Sequence, residues 1–504
     1  MDPAAPSAGS HGPDGPHPHP PPPAQVRVHF TTAEPDARLQ LPESKRQLLV
    51  PADLRRYGLS RILNSDSMLA TAAAPVPFDF LVDGAFLRST LADHLRDRGL
   101  SLESSLTLQY VPSLAPPVFQ ASFGHDDWVA AVDVLSATAP AARWSPADAV
   151  APGQERILSA SYDGLVRVWN AAGQVLATSP PAGHGGHGAA VKAARFVTST
   201  QVVSAGLDRA LRVWKYTETD HFGGDLKPAL ELYGHAAPVA SVAVHGQHRR
   251  VLTAAADGAV GLWTTAKQDA PEAPAALLPG AHATKRRRVA APSSVSTPQR
   301  GPLGLMAVHK APASAAIFDP RDRTVAFSAA QDHTVKTLDL TTLREVTTLT
   351  ASHPLLSLCA IPRASAPLLA AGTSARHITL MDPRVSTATT SVMTLRGHAN
   401  MVVSLAASPD NDYSLVSGSH DGTCRVWDLR SSRPAAHDEG LGSVSEPVYV
   451  IDRESRQGRK RPVAGEGSKV FSVVWDSLGI VSGGEDKRVQ VNKGMGGLAG
   501  SFCM

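Results

Sequence analysis

A chain of 504 residues is long enough for two or more domains, and its formal net charge of +3 argues against a general attraction to nucleic acid. Its three cysteines, Cys359, Cys424 and Cys503, form neither a Cys-x-x-Cys pair nor an even framework, which indicates a reducing compartment. No apolar run reaches the roughly 18 residues that a transmembrane helix needs. Residues 1–24, rich in Pro, Gly, His and Ala, lack the layout of a secretion signal and are predicted to be disordered.

Residues 25–112 have the pattern of a small mixed domain. Apolar residues alternate with polar ones at 26–30, and a second short strand is predicted at 37–41. Asp53 is predicted to cap a helix formed by LRRYGLSRILN, a buried strand follows within 77–84, and an alternating strand lies at 105–111. This order of strands and helix predicts a ubiquitin-like β-grasp fold.

The sequence SGSHDGTCRVWDL at 417–429 has a spacing that returns along the chain. In each complete copy a Trp stands six residues after an Asp, a Ser or Thr stands four residues before that Asp, and a His lies further upstream. The complete copies contain His125, Ser159, Asp163 and Trp169; His187, Ser204, Asp208 and Trp214; His235, Thr253, Asp257 and Trp263; and His398, Ser417, Asp421 and Trp427.

A strand, a tight turn and a second strand place the hydroxyl, carboxylate and indole of one copy side by side, where a hydrogen bond between the His and the Asp locks the turn. The copies resemble the WD repeat, which forms one four-stranded blade of a β-propeller with a period of about 40 to 45 residues. Recurrence favours a structural role for these side chains, since a Ser/His/Asp hydrolase needs one unique constellation. We therefore predict no catalytic residue, no metal site and no cofactor, and we find no nucleotide-binding loop that would indicate an enzyme.

Three less regular copies complete a predicted ring of seven blades over residues 117–493. They contain His309, Ser328, Asp332 and Leu338 in the fourth blade, Ala375 and Met381 in the fifth, and Ser482, Asp486 and Asn492 in the seventh. Insertions are predicted at about 136–154, 265–304 and 430–467, and a Gly-rich tail at 494–504. Because that tail is poor material for a last outer strand, 117–123 is predicted to pair in the seventh blade and close the ring.

Two of these insertions contain runs of basic residues. The first run is Lys285, Arg286, Arg287 and Arg288, and the second is RQGRKRP at 456–462. Either run is explained by a solvated charge cluster; the functional interpretation is nuclear import for the first, with RNA-phosphate contact as a lesser alternative for both. No aromatic residues interleave with the charges, which argues against specific readout of nucleic-acid bases.

Several motifs carry a closer resemblance. RYGLSRILN, PVPFDFLVDGAFLRSTL, GLSLESSLTLQY and DWVAAVDV resemble the N-terminal domain, and its junction with the propeller, of the YTM family of ribosome-biogenesis WD-repeat proteins. Members of that family are the WD subunit of the PeBoW complex, which contains pescadillo and block-of-proliferation. The related Notchless family shares the ubiquitin-like domain, but its propellers have eight blades whereas seven are counted here.

The resemblance implies a scaffold in maturation of large-subunit rRNA on the pre-60S ribosomal particle, in the nucleolus and nucleoplasm. It implies that the propeller docks on the block-of-proliferation subunit, which holds pescadillo. It also implies that the AAA ATPase midasin grips the ubiquitin-like domain through one acidic residue before the last strand, for release from the particle. The matching residue is Glu103, whose carboxylate would complete the oxygen shell of a Mg²⁺ held by midasin. By spacing alone, Glu103 is equally explained as an exposed loop acid.

Two further alternatives stay open. One is a Notchless-like assembly factor. The other is a WD-repeat substrate adaptor of a ubiquitin ligase, which the combination of a ubiquitin-like domain and a propeller also favours.

Overall fold

The computed structural model describes residues 24–34, 36–71, 75–145, 150, 153–220, 223–278, 297–363, 367–384, 392–435, 442–458 and 465–494. The chain divides into two compact units, Met1–Ser113 and Leu114–Met504. Most of the predicted disordered segment 1–24, most of the Gly-rich tail 494–504 and the basic run 285–288 lie outside the described residues.

The first unit is a five-stranded sheet that carries two helices. Its elements are β1 (Gln25–Thr31), β2 (Gln47–Pro51), α1 (Arg56–Asn64), β3 (Phe78–Val82), β4 (Ala85–Phe86), α2 (Leu91–Asp97) and β5 (Leu106–Pro112), with 3₁₀ turns at Ala37–Leu39 and Glu43–Lys45. The strand order is β2-β1-β5-β3-β4, and β1 runs parallel to β5. Alternation in β1 buries Val26, Val28 and Phe30 on one face, where Leu59 and Leu63 of α1 join the same core. The predicted β-grasp fold is confirmed.

Two local predictions in this unit are wrong. The predicted strand 37–41 is instead a 3₁₀ turn at Ala37–Leu39 followed by two residues outside any strand, because Asp36 accepts a hydrogen bond from the Arg38 amide at 3.0 Å and starts a turn. The Tyr110 hydroxyl donates to the Leu39 carbonyl at 2.7 Å. This side chain supplies the hydrogen bond that a neighbouring strand would otherwise give to that carbonyl. The first helix begins at Arg56, its N-cap is Arg55, and Asp53 lies in the turn after β2.

Within its described residues, the second unit contains seven sheets, which we call blades 1 to 7, and each is built around four antiparallel strands. From the inner to the outer strand, blades 1 to 4 are Val129–Leu135, Arg156–Ser161, Val166–Asn170 and Val175–Thr178; Val191–Thr198, Gln201–Gly206, Leu211–Asp220 and Gly223–Leu232; Val239–His245, Arg250–Ala255, Ala259–Thr264 and Gly304–Ala307; and Ala313–Phe318, Val325–Ala330, Thr334–Asp339 and Arg344–Thr350. Blades 5 to 7 are Leu355–Ile361, Leu368–Thr373, His377–Met381 and Met393–Arg396; Val402–Ala407, Ser414–Ser419, Thr423–Asp428 and Pro447–Asp452; and Val470–Asp476, Gly479–Gly484, Arg488–Gly494 and Pro117–Gly124. Short helical segments lie at Pro140–Arg143, Ala182–His184, Gly246–His248, Ala275–Leu277 and Glu454–Arg456.

The ring is closed. Each inner strand contacts the inner strands of both neighbouring blades, and that of blade 7 contacts that of blade 1. The segment predicted to close the ring pairs as the outer strand of blade 7, with Gly124 opposite Arg488 and Pro117 opposite Gly494. Phe123 of this strand stacks on Trp169 of blade 1, with ring centroids 5.9 Å apart. Apolar side chains therefore fill the junction at which the two ends of the propeller meet. The predicted class, a mainly β chain with a ubiquitin-like domain and a WD-repeat propeller, is confirmed.

The two longer insertions are built into blades to a greater extent than their composition predicted. Within 265–304, Gln299–Arg300 pairs in parallel with the outer strand of blade 2. Within 430–467, Ser443–Ser445 and Arg433–Pro434 extend blade 5, and Pro447–Asp452 is the outer strand of blade 6. Short segments between polar loops lack a clear period, so only their hydrogen-bonding partners reveal them as strands. Within the described residues, no helix is both long and apolar enough to cross a lipid bilayer.

Candidate interaction sites

The repeated His, Ser or Thr, Asp and Trp side chains meet in hydrogen-bonded networks. In blade 6 the Trp427 indole donates to the Ser417 hydroxyl at 2.8 Å, that hydroxyl lies 2.7 Å from His398 Nε2, and His398 Nδ1 lies 2.8 Å from Asp421. Blades 2 and 3 repeat this order with His187, Ser204, Asp208 and Trp214, and with His235, Thr253, Asp257 and Trp263. In blade 4, His309 bridges Ser328 and Asp332 at 2.8 and 3.1 Å, and Leu338 is buried where the Trp would stand.

Each network fixes its own proton positions. Because the indole can only donate, the Ser417 hydroxyl accepts from Trp427 and has one proton left for His398 Nε2. His398 Nδ1–H then donates to Asp421, which places a neutral imidazole between an alcohol and a carboxylate. Burial lowers the pKa of His398 and of His187, in agreement with that neutral form. Although burial alone would raise the pKa of Asp257, hydrogen bonds from His235 and the Ala259 amide lower it to about 2.

Lowering the pH from about 7 to about 5.5 is expected to reduce the free energy of unfolding by about 1 kcal/mol for each of His187 and His398. The folded pKa values of both histidines lie below the unfolded value. The unfolded chain therefore binds more protons in this window, and the free energy of unfolding falls as the pH is lowered. The lowered pKa of Asp421 acts only below about pH 4. Urea unfolding at the two pH values measures the effect. His398→Asn should reduce the pH dependence, and a stability independent of pH would contradict a neutral buried His398.

Blade 1 departs from the predicted pattern. His125 Nε2 lies 2.9 Å from the Ser159 hydroxyl, which also accepts a hydrogen bond from Trp169 at 2.6 Å. Arg167, however, stands between His125 and Asp163, 3.2 Å from the imidazole and 2.7 Å from the carboxylate. Burial and the Arg167 charge lower the pKa of His125 to about 4. The predicted direct bond between His125 and Asp163 is therefore replaced by an ion pair.

Blade 7 contains a residue that the repeat pattern missed. Arg453 follows the outer strand of blade 6, as His398 follows the outer strand of blade 5, and it is 1% exposed. Its guanidinium donates to the Ser482 hydroxyl at 2.7 Å, to both carboxylate oxygens of Asp486 at 2.7 and 3.0 Å, and to the Arg488 carbonyl at 2.7 Å. Arg453 thus takes the place of the missing His and joins blade 6 to blade 7. The one feature of the sequence that could have indicated this role is the position of Arg453 directly after a strand that precedes a repeat.

The remaining predicted positions of the irregular blades lie in apolar or amide surroundings. In blade 5, Met381 is buried opposite Leu369, at the place where Trp427 lies opposite Leu415 in blade 6. In blade 7, the buried Asn492 accepts a hydrogen bond from Gln490 at 2.8 Å. Blade 5 therefore depends on apolar packing where its neighbours have a polar network.

An aromatic patch lies on the face of the ring that carries the Asp-containing turns. Trp128 is 39% exposed, and its ring centroid lies 5.4 Å from that of Tyr162 and 6.0 Å from that of Phe471. His420 packs edge-on against Phe471 at 5.5 Å, and Lys192 lies 2.7 Å from the Tyr162 hydroxyl. We call these five residues the aromatic patch. Exposed Trp and Tyr side chains beside a cation are typical of the energetic centre of a protein interface.

Glu103 lies in the loop between α2 and β5. The Ser104 amide donates to the Ser101 carbonyl at 3.1 Å, which forms a turn that presents Glu103 to solvent. Leu100 and Leu102, which precede Glu103 in the same loop, are 47% and 40% exposed. In the part of the chain that the structure describes, the Glu103 carboxylate has no hydrogen-bond or ion-pair partner, and no group of three or more His, Cys, Asp or Glu could hold a metal ion. The loop therefore offers an unused carboxylate next to two exposed apolar side chains.

Family models match both units. A model described as the NLE (NUC135) domain matches residues 26–95, and the model of the WD domain, G-beta repeat, matches 118–170, 226–264 and 389–428. The last match begins near the outer strand of blade 5 and ends in blade 6, so the sequence repeat and the blade are offset by one strand. The His of each network therefore follows the outer strand of one blade, whereas its Ser or Thr, its Asp and its Trp lie in the next blade.

Curated proteins extend the comparison to almost the whole chain. Among solved structures, the chain in the crystal structure of the WD40 β-propeller domain of Doa1 is 17% identical to this chain, with a TM-score of 0.49. The match covers 75% of this chain and 97% of that chain. Ribosome biogenesis protein ytm1 of Neurospora crassa is 67% identical over 482 residues, which cover 94% of this chain and 98% of that protein. Ribosome biogenesis protein YTM1 of Chaetomium thermophilum is 70% identical over 481 residues, which cover 94% and 96%. With such identity across both units, the chain belongs to the YTM1 family of ribosome biogenesis WD-repeat proteins.

Proposed function

We propose that this chain is a non-catalytic scaffold of pre-60S assembly, in which the propeller holds one partner and the ubiquitin-like domain presents a carboxylate to another. The observation that carries the proposal is the exposed Glu103, which has no partner within the described residues and stands on a folded domain separate from the propeller. The repeated His, Ser, Asp and Trp groups support a role without catalysis, because they are buried and satisfied in several copies.

For the propeller, the proposed partner is the block-of-proliferation subunit, through which pescadillo would join the complex. The aromatic patch is the proposed docking surface. Trp128 and Tyr162 are rigid, partly exposed rings, and Lys192 adds a cation that can face an acidic group of a partner. The aromatic patch combines Phe471 of blade 7, Tyr162 of blade 1, Lys192 of blade 2 and His420 of blade 6, so it forms only when the ring is closed. A partner that docks here would therefore bind only the assembled propeller.

For the ubiquitin-like domain, the proposed partner is midasin. A Mg²⁺ ion prefers six oxygen ligands, and a carboxylate supplied by a second protein can complete such a shell. Leu100 and Leu102 would be covered in the same contact, which adds apolar area around the ion. An ATP-driven pull on Glu103 would then act on the propeller through the covalent chain and remove the complex from the pre-60S particle.

The proposed location is the nucleus, including the nucleolus and nucleoplasm, where large-subunit rRNA matures. Lys285 to Arg288 is the proposed import signal. Contact of the basic segments with rRNA phosphates is a weaker proposal, since the chain as a whole has a net charge of only +3.

Trp128→Ala is expected to weaken copurification of the block-of-proliferation subunit and pescadillo, with an increase in Kd of about 30-fold or more, because truncation of a central interface Trp typically costs about 2 kcal/mol. The full chain is purified from cells, partners are quantified, and folding is checked by circular dichroism. The matched control is Phe119→Ala, an aromatic residue 45% exposed on the outer strand of blade 7. Unchanged copurification of both partners by Trp128→Ala would exclude this surface, and recovery of ubiquitin-ligase subunits in their place would exclude the function.

A further inference from the structure

A cavity of about 600 Å³ lies between blades 3 and 4. Its lining includes His245 and Arg250, on either side of the first hairpin of blade 3, and Phe318 and Arg323, in the first hairpin of blade 4. Successive turns of an antiparallel blade alternate between the two ends of the ring. The first hairpins therefore lie on the face opposite the aromatic patch, whose Tyr162 and His420 stand at second turns.

The floor of this cavity is apolar. It is formed by Leu262, Leu303, Phe318, Leu340 and Leu343. Leu343 has φ of 57°, a left-handed conformation that is unfavourable for an apolar residue. Gly304 leaves room for its side chain, since a Cβ at residue 304 would lie 2.4 Å from a Leu343 methyl. Leu343 therefore packs against the backbone of this wall in a strained conformation.

The rim of the cavity is cationic and incompletely paired. Neither Arg250 nor Arg323 forms an ion pair with a carboxylate in the described part of the chain, and Arg323 contacts His248 Nε2 at 3.0 Å. The buried Arg250 Nη1 and His245 Nδ1 also lack a hydrogen-bond partner among the described residues. Burial together with the charges of His248 and Arg323 lowers the pKa of His245, which is consistent with a positive local potential. Buried polar atoms of this kind usually have a hydrogen-bond partner, and these two have none in the part of the chain that the structure describes.

Two carboxylates beside the rim decide which class of anion fits. Asp322 accepts a hydrogen bond from the Thr324 hydroxyl at 2.7 Å, and Asp339 accepts one from the Thr341 hydroxyl at 2.7 Å. Both threonines line the cavity, so fixed negative charge borders it. A nucleic-acid backbone carries one charge per nucleotide, so the phosphates that adjoin one bound at the rim would be repelled by this fixed negative charge. A single carboxylate on an otherwise apolar segment avoids this repulsion.

We propose that this cavity binds a short segment of a partner protein in which an Asp or Glu is adjacent to a Leu, Ile or Phe. The carboxylate pairs with Arg250 and Arg323, and the apolar side chain enters the leucine-lined floor. The chain then has a third contact point, on the face opposite the aromatic patch. This assignment is independent of the roles proposed for Glu103 and for Trp128.

The test measures binding of short synthetic peptides, with one Leu or Phe next to one Asp or Glu, to the full chain by fluorescence polarisation. Arg323→Met and Arg250→Met keep the aliphatic stem and remove the charge, and each should raise Kd about tenfold or more. Arg321→Met is the matched control, because Arg321 is exposed on the same loop and does not line the cavity. Circular dichroism on each variant separates loss of binding from loss of folding, and Arg250→Met should leave Tm unchanged or higher because it removes an unsatisfied donor.

Three outcomes would overturn the proposal. The first is that no acidic peptide binds the wild-type chain more tightly than its Asn or Gln counterpart. The second is that Arg323→Met and Arg321→Met weaken binding equally, which would indicate a general surface charge effect. The third is that single-stranded RNA of similar length binds more tightly than the peptides and is lost in Arg250→Met, which would assign the cavity to nucleic acid.

Discussion

Replacing Glu103 by Ala is expected to abolish Mg²⁺-dependent binding of midasin while leaving both units folded. Glu103 is exposed and has no partner in the described residues, so its removal costs no internal contact. The lost carboxylate oxygen would leave an ion shell incomplete in a desolvated interface, for which losses of at least about 30-fold in affinity are typical. Pull-down of midasin by the full chain, with Mg²⁺ and with EDTA, measures the effect.

Three matched variants sharpen this test. Glu103→Gln keeps the side-chain shape and one oxygen but removes the charge, and should also fail to bind. Asp97→Ala removes an exposed acid at the end of α2 and should bind normally. Leu102→Ala should weaken binding in part, because it removes apolar area beside the ion. Normal binding by Glu103→Gln would show that the charge of the Glu103 carboxylate is not needed at the ion, and the proposed mechanism would then be wrong.

Replacing Arg453 by Ala is expected to lower the free energy of unfolding of the propeller by about 3 to 5 kcal/mol. The change leaves Asp486, whose side chain is 4% exposed, without its cation, and removes the donor to Ser482. Arg453 and Asp486 come from neighbouring blades, so the loss also weakens the contact of blade 6 with the blade that closes the ring. Urea unfolding followed by tryptophan fluorescence measures the change.

Two further variants separate the ion pair from packing. Arg453→Lys keeps the charge but not the forked geometry, and should cost less than the Ala variant. The double variant Arg453→Met with Asp486→Asn removes both charges and should recover part of the lost stability, because no charge is then left buried alone. A loss below about 1 kcal/mol for Arg453→Ala would mean that water replaces the guanidinium at little cost and that Arg453 does not act as the blade-7 counterpart of His398.

How far the sequence could predict each of these sites depends on how far apart its residues lie along the chain. Asp421 and Trp427 belong to one hairpin, whose turn and strand spacing place them together without help from other blades. For the same reason the alternation at 26–30 was sufficient to identify β1. Glu103 could be assigned only because the residues around it resemble a known family, since nothing in its spacing distinguishes it from another loop acid.

The sequence by itself determined the fold class, the repeat and the seven blades, because each of these is encoded in local turn geometry and strand periodicity. Only the tertiary structure decided that Arg453 replaces a histidine, that Pro447–Asp452 is an outer strand, and that the aromatic patch and the cationic cavity exist. The Arg453 network, the aromatic patch and the cavity join residues from different blades, and Pro447–Asp452 pairs within blade 6 with a strand distant in sequence. In each case the partners are chosen by packing and by the need to pair buried polar groups, which local spacing does not contain.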